Sequence, residues 1–376
     1  MNKFSPVCRK LAFITLGNLL FVSVQAQQIY PGNFFELKAV AGTHAIGSTS
    51  KKLKDRLYGL DLSYNKNILN NEDNWAKFSK VQSYGFALVV RDLNNLKGHR
   101  DTAAKSFGQA YGLVGQIDFL IFKRGNTSFN FRPGVGLSYL SKTFFTDPKN
   151  RFIGSHINEV IKADLLFQTQ LRPGIDLIAG LGFLHYSNGG FNIPNNGLNT
   201  LSISSGLRLM KSARAKKVYK SNFTQLQKNT FEINLGIGRR GVIESHEGLL
   251  KSGLYAGYNF YINDILMLKS GLDAVYYYTP FIPTQEKGVQ TFQYYGTSYD
   301  RWRTGLSLGA ETTLWRFSVN AQFGRYIYYN SYYPDINWYW TNSLIYNIDQ
   351  HIGFQAKTYM HKSQADYINF GFALKF

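Results

Sequence analysis

Between residues 34 and 376 one pattern recurs: apolar residues alternate with polar or small ones, in segments of about ten to fifteen residues separated by turn residues. Period-two alternation places successive side chains on opposite faces of an extended chain, so each segment reads as a β-strand with one apolar face. The segments span 34–46, 57–68, 82–92, 109–123, 128–141, 159–172, 174–188, 199–210, 230–240, 251–262, 266–279, 301–314, 315–328, 338–348, 352–361 and 366–376. Beyond residue 26 there is no apolar run of 18 residues, which excludes a bundle of transmembrane helices. Yet the chain holds 29 Phe, 26 Tyr and 5 Trp while only 17% of it is charged, so it is not disordered either. Membrane-type aromatic content without a membrane helix points to an all-β, antiparallel, up-and-down transmembrane barrel. About sixteen strands are expected, with fourteen as the alternative count.

Two further features agree. Outer-membrane barrels alternate short periplasmic turns with long outer loops. Here the links after the fourth, sixth, tenth, twelfth and fourteenth segments are short, and those after the third, fifth, seventh, eleventh and thirteenth are long. Two links break the rule, Leu69 to Val81 and Lys211 to Asn229. The second carries Lys211, Arg214, Lys216, Lys217, Lys220 and Lys228, and reads as a basic periplasmic linker, 211–229, between two halves. At the end of the chain, Asp366, Ile368, Phe370, Phe372, Leu374 and Phe376 form one row, and Tyr367, Asn369, Gly371, Ala373 and Lys375 the other. An apolar outer row ending in Phe376 resembles the terminal strand read by barrel-assembly machinery.

The first 26 residues read as a secretory signal peptide. Lys3, Arg9 and Lys10 precede an apolar stretch from Leu11 to Val24, and Val24-Gln25-Ala26 is a small-residue cleavage site. Cleavage there leaves residues 27–376 as one barrel domain and removes Cys8, the sole cysteine. It also removes three basic residues, lowering the formal charge from +19 to +16. In the outer membrane of a Gram-negative bacterium, the partner for such a charge is phosphorylated lipopolysaccharide rather than nucleic acid, for which no motif occurs. Neither a metal-ligand spacing nor a phosphate loop is present, and no cofactor is expected.

Chemistry concentrates in Leu184-His185-Tyr186-Ser187-Asn188-Gly189-Gly190 and the residues that follow, up to Asn199. His185 and Ser187 are two apart on a strand, so they share a face, with Cα atoms about 6.6 Å apart. Along that segment the odd row is Ile175, Leu177, Ala179, Leu181, Phe183, His185 and Ser187. This is the apolar outer row, so both polar residues face lipid at the outer-leaflet end. One reading is a Ser nucleophile with a His base, aimed at an ester in the membrane; another is a pair of interfacial polar residues closing the apolar band.

His185-x-Ser187-Asn188, five residues and then Pro194-Asn195-x-Gly197 resembles the motif of the lipid A 3-O-deacylase family, outer-membrane enzymes that remove an ester-linked acyl chain from lipid A. The resemblance covers about residues 172–210. Lys357-Thr358-Tyr359-Met360-His361 followed by Ala365-Asp366-Tyr367 is similar to the ending of longer members, often labelled acyloxyacyl hydrolases. The resemblance implies that Ser187 is the nucleophile and His185 the base, that Asn188 and the Gly190 N–H occupy oxyanion positions, and that Pro194, Asn195 and Gly197 shape the loop. The family's acid is a Glu; this chain has Asn199, on the outward row of the next strand with Leu201 and Ile203. An Asn orients an imidazole without stabilising its charged form, so the site is a slower enzyme, takes a carboxylate from elsewhere, or is inactive. The competing functions are a pore or transporter, lined by inward residues such as Lys162, Asp164, Gln168 and Gln170, or an inactive structural barrel. His361 and Asp366, flanking a tight outer turn, read as an ion pair or headgroup contact, with a second site as the alternative.

Overall fold

The computed structural model describes residues 30–45, 56–69, 72–96, 107–213, 220, 223, 226, 228–280, 300–330, 337–362 and 364–376. The expected signal peptide and most of the basic linker lie outside these. Every expected segment is a strand: β1 (Tyr30–His44), β2 (Leu57–Asn67), β3 (Val81–Asp92), β4 (Gln109–Arg124), β5 (Thr127–Leu140), β6 (Ile157–Arg172), β7 (Ile175–Ser187) and β8 (Leu198–Ala213), then β9 (Thr230–Gly241), β10 (Gly248–Asn263), β11 (Leu266–Tyr277), β12 (Trp302–Leu314), β13 (Phe317–Tyr328), β14 (Trp338–Asn347), β15 (Ile352–His361) and β16 (Gln364–Lys375). One short helix, α1 (Asn74–Ser79), lies in the link between β2 and β3.

The sixteen strands close as two rings of eight rather than one ring of sixteen. β8 returns to β1, from Tyr30↔Ala213 to His44↔Thr200. β16 returns to β9, from Ile368↔Arg239 to Lys375↔Glu232. The break falls at the long basic link, which cannot act as a tight hairpin between β8 and β9. With that pairing lost, each set of eight removes its open edges by closing on itself. An eight-stranded ring is narrow, and both seams show the crowding. A Cβ on Gly206 would sit 2.0 Å from the Leu37 carbonyl oxygen, and one on Gly371 would sit 1.8 Å from that of Leu235.

Apolar and polar residues are distributed inside-out. Leu137, Leu181, Ile203, Leu308 and Phe323 are all more than half exposed, whereas Glu36, Arg132, Lys162, Glu232 and Lys269 are buried. Water would penalise such an apolar surface, and a lipid phase requires it. Aromatic pairs mark both ends of the belt in the first barrel. Tyr111 opposes Tyr139 at one end, and Phe35 packs on Tyr64 at the other, with ring centroids 4.8 Å apart.

The interiors are filled by ion pairs. In the first barrel Arg132 bridges Glu36 and Asp118, Arg208 lies 2.8 Å from Glu36, Lys38 lies 2.8 Å from Asp164 and Arg91 lies 2.6 Å from Asp61. In the second, Lys269 joins Glu232 at 2.7 Å and Glu311 at 2.8 Å. Lys357 and the Tyr339 and Tyr359 hydroxyls converge on Asp273. An eight-stranded interior is just wide enough for side chains, so Lys162 and Asp164 are members of a packed core, and the wide sixteen-stranded lumen that a pore reading needs is not formed.

The alternation expected for the last strand holds from Tyr367 onward and fails at Asp366. A register shift between Tyr359 and Met360 breaks the β15–β16 ladder there. Asp366 is therefore 1% exposed rather than on the outer row, and it pairs with Lys251 at 2.8 Å and Arg303 at 3.1 Å inside the second barrel. His361 is also buried, its Nε2 accepting the Tyr326 hydroxyl at 2.5 Å. Both side chains are turned into the interior of the second barrel.

Candidate active site

The site stands at the end of β7 and in the link to β8. In β7 the even residues Asp176, Ile178, Leu184 and Tyr186 are buried, while the odd row that includes His185 and Ser187 is not. His185 and Ser187 thus share the face turned away from the lumen, as their parity implies. His185 pairs directly with Asn199 of β8 in the ladder. Directly opposed residues on one face bring their side chains together, and His185 Nδ1 lies 2.6 Å from Asn199 Oδ1. The amide oxygen accepts, so Nδ1 carries the proton and Nε2 keeps its lone pair. The ring rests on Gly197, where a Cβ would lie 2.7 Å from His185 Cε1. A larger residue there would displace the imidazole.

Ser187 Oγ accepts two hydrogen bonds, from Asn195 Nδ2 at 2.9 Å and from the Gly189 N–H at 3.3 Å. Among the described residues none joins it to the His185 ring. Bonds of this kind often tighten only when substrate binds.

The loop residues hold one another through their side chains and backbone. Asn188 Nδ2 donates to Ser155 Oγ at 2.9 Å and to the Asn192 carbonyl at 3.0 Å, and its Oδ1 accepts the Gly190 N–H at 3.0 Å. Both oxyanion candidates are engaged within the loop, and the side chain that reaches Ser187 is Asn195. The link between β5 and β6 supports the loop from one side. The Gly197 N–H donates to the Phe152 carbonyl at 3.0 Å and the Asn196 N–H to that of Arg151 at 3.3 Å. Pro194 is buried beneath it.

Two residues were not singled out by their sequence. Ser155 braces Asn188. Glu159 of β6 is the ladder partner of Ser187, just as Ile161 is of His185. It lies on the outward row, half-buried, and no hydrogen bond or ion pair to another described residue engages its carboxylate. Its parity was readable, but its position beside Ser187 depends on the β6–β7 register.

Two family profiles match the chain: Lipid A 3-O-deacylase (PagL), over residues 58–208, and Acyloxyacyl hydrolase, C-terminal domain, over residues 229–376. The chain belongs to the lipid A 3-O-deacylase family. The gap between the two matches takes in the end of β8 and most of the link to β9, so the first match lies within the first barrel and the second covers the second. Family membership supports lipid A deacylation in the outer membrane. No curated protein matches the chain. Solved structures similar to it include Neisserial surface protein A, 13% identical, covering 48% of this chain and 97% of that one with a TM-score of 0.32. The FrpB iron transporter from Neisseria meningitidis is 9% identical, covering 92% and 70%, with a TM-score of 0.23. Omp33 from Acinetobacter baumannii is 9% identical, covering 93% and 100%, with a TM-score of 0.17.

Proposed function

We propose that the protein is a serine esterase of the Gram-negative outer membrane, removing an ester-linked acyl chain from lipid A at a site on the outer wall of the first barrel. The observation that carries this reading is the His185–Asn199 contact at 2.6 Å beside Ser187. It fixes the imidazole in the tautomer a general base needs, with Nε2 free to accept a proton. Ser187 Oγ attacks the ester carbonyl carbon and His185 Nε2 takes the hydroxyl proton. Negative charge then develops on the carbonyl oxygen, beside the two donors gathered around Oγ, Asn195 Nδ2 and the Gly189 N–H. Collapse breaks the ester bond, and the proton on Nε2 passes to the departing alkoxide of the sugar. Water, deprotonated by the same nitrogen, releases the fatty acid from Ser187.

Asn199 orients the ring but adds no charge to stabilise the imidazolium. Glu159, opposite Ser187 on the same face, supplies the nearby carboxylate. The outward row puts the reacting groups where an acyl chain in the outer leaflet passes, and the basic character of the chain suits a phosphorylated lipid. Phe376, exposed at the end of the last ladder, serves assembly as the terminal aromatic. Mass spectrometry of lipid A from cells with and without the protein tests the reading. Loss of one acyl chain that depends on Ser187 is expected, and an unchanged acyl pattern overturns it.

A further inference from the structure

Resting on that reading, we infer that the second barrel completes the deacylase site: the rim formed by β9, the β9–β10 link and the start of β16 holds the Ser187 loop in its working position. The loop 188–197 could have been anchored by its own barrel alone. Instead its backbone continues into the other barrel. The Gly241 N–H donates to the Gly190 carbonyl at 2.8 Å, and the Glu244 N–H donates to the Ile193 carbonyl at 2.9 Å. Between them Ile193 and Ile243 form a parallel β-bridge. The loop therefore adds a short strand pairing to the second barrel's rim.

Side chains repeat the contact. Arg239 lays its guanidinium over Phe191, 4.4 Å from the ring centroid, and reaches Asn192 Oδ1 at 3.3 Å. The same guanidinium is anchored on its own barrel by the His246 carbonyl at 2.9 Å. The approach leaves no room for a larger residue at Gly241, where a Cβ would sit 2.7 Å from Asn192 Cα. Ile368 fits closely under Gly189, 2.9 Å from where a Cβ there would lie. Farther out, His246 stacks on Phe145 at 3.9 Å, and Glu244 pairs with Arg151 at 2.8 Å. Phe145 and Arg151 belong to the β5–β6 link, which supports the loop from its other side. Gly189 and Asn195, the two residues that donate to Ser187, lie within the segment held in this way.

The consequence is chemical. A nucleophile's donors must hold their places to within a fraction of an ångström, and a misplacement of about 1 Å can cost around a hundredfold in rate. Arg239 and Gly241 act through the loop and are positioning residues. Since they touch the loop and not the acyl chain, their loss should lower kcat and leave KM little changed.

The test uses the full-length protein in detergent micelles with purified lipopolysaccharide, and the variants Arg239→Ala, Arg239→Lys and Gly241→Pro. Retention of both barrels is checked by the heat-dependent gel shift of each variant. Two readings are taken: kcat and KM for fatty-acid release, and amide hydrogen exchange across residues 188–197. The expected result is faster exchange confined to that segment in Arg239→Ala and Gly241→Pro. A fall in kcat of about ten- to a hundredfold should accompany it, with partial recovery in Arg239→Lys. Unchanged loop exchange in both variants overturns the inference whether or not the protein deacylates lipid A. Faster exchange with wild-type kcat overturns it too, since the loop would then be held to no catalytic purpose. A wild-type protein that releases no acyl chain defeats the esterase reading, while the exchange measurement still decides whether the second barrel holds the loop.

Discussion

The seventh strand of each barrel carries a histidine in its last three residues, and the two histidines have opposite fates. His185, at the end of β7, points away from the lumen, meets Asn199 and stands two residues from Ser187. His361, at the end of β15, points inward, is 5% exposed, and joins Tyr326 and Arg303 above the buried Asp366. Both strands have the same place in their ring. The difference is one step of parity, which turns every side chain to the opposite face. On the outward face a polar residue meets lipid and must be justified by chemistry or by the interface. On the inward face it joins an ion-pair core that is needed only to fill the ring. The links differ in the same sense. The ten residues 188–197 after Ser187 fold back over it, whereas β15 turns into β16 across Lys362 and its neighbour.

The sharpest way to break this comparison is to remove the polar atom from each. Ser187→Ala should lower fatty-acid release by about 10³-fold or more, because the covalent step is lost while the donors around it remain. His361→Ala should leave kcat within about twofold and act on stability instead. Both are read from initial rates on purified lipopolysaccharide. Equal activity loss in the two variants would mean that the second histidine is no mere core residue.

The ion-pair cores permit a matched pair of cuts. Glu36 is buried against Arg132 and Arg208, and Glu232 against Lys269. Glu36→Ala and Glu232→Ala should each destabilise their own ring by about 3–5 kcal/mol, since each leaves a buried cation uncompensated. Urea unfolding in lipid vesicles measures this. Loss of the site should follow Glu36→Ala directly and Glu232→Ala only through the loop contacts at Arg239 and Gly241.

How much of this was legible before the structure follows from the range of each signal. Strand existence is local, written in the alternation of each segment, and all sixteen appeared. Ring closure is not local: β8 carries the same pattern whether it pairs with β1 or with β9, and the long basic link was the only hint. The face of His185, Ser187 and Asn199 was legible because parity runs unbroken along β7 and β8. Parity misled at Asp366 because a register shift in the ladder leaves no mark in composition. Within the loop, backbone turns decide which amide reaches Ser187, and the spacing alone did not single out Asn195 for that contact. Glu159 was hidden because its neighbour lies on another strand.

Asn199 supplies a smaller and more pointed test. Restoring the family's residue, Asn199→Glu, places a carboxylate against His185 Nδ1, where the amide oxygen now sits at 2.6 Å. The reverse change in a serine protease triad costs about 10⁴ in rate, so a gain is expected. It should be nearer tenfold, because Asn199 already holds the useful tautomer. The increase should appear in kcat with little change in KM. A loss of activity instead would show that the amide, not a carboxylate, fits the space between β7 and β8.

The smallest effect belongs to Glu159→Gln, which keeps the shape and removes the charge. If the carboxylate stabilises the imidazolium formed as Ser187 attacks, kcat should fall about three- to tenfold, the scale of a charge acting at the edge of a partly exposed site. The fall should be larger in the wild type than in Asn199→Glu, because there a second carboxylate already does that work. The double variant therefore separates a catalytic charge from a structural one. If the loss is the same in both backgrounds, Glu159 acts independently of His185, and the first barrel relies on Asn199 alone to hold its histidine.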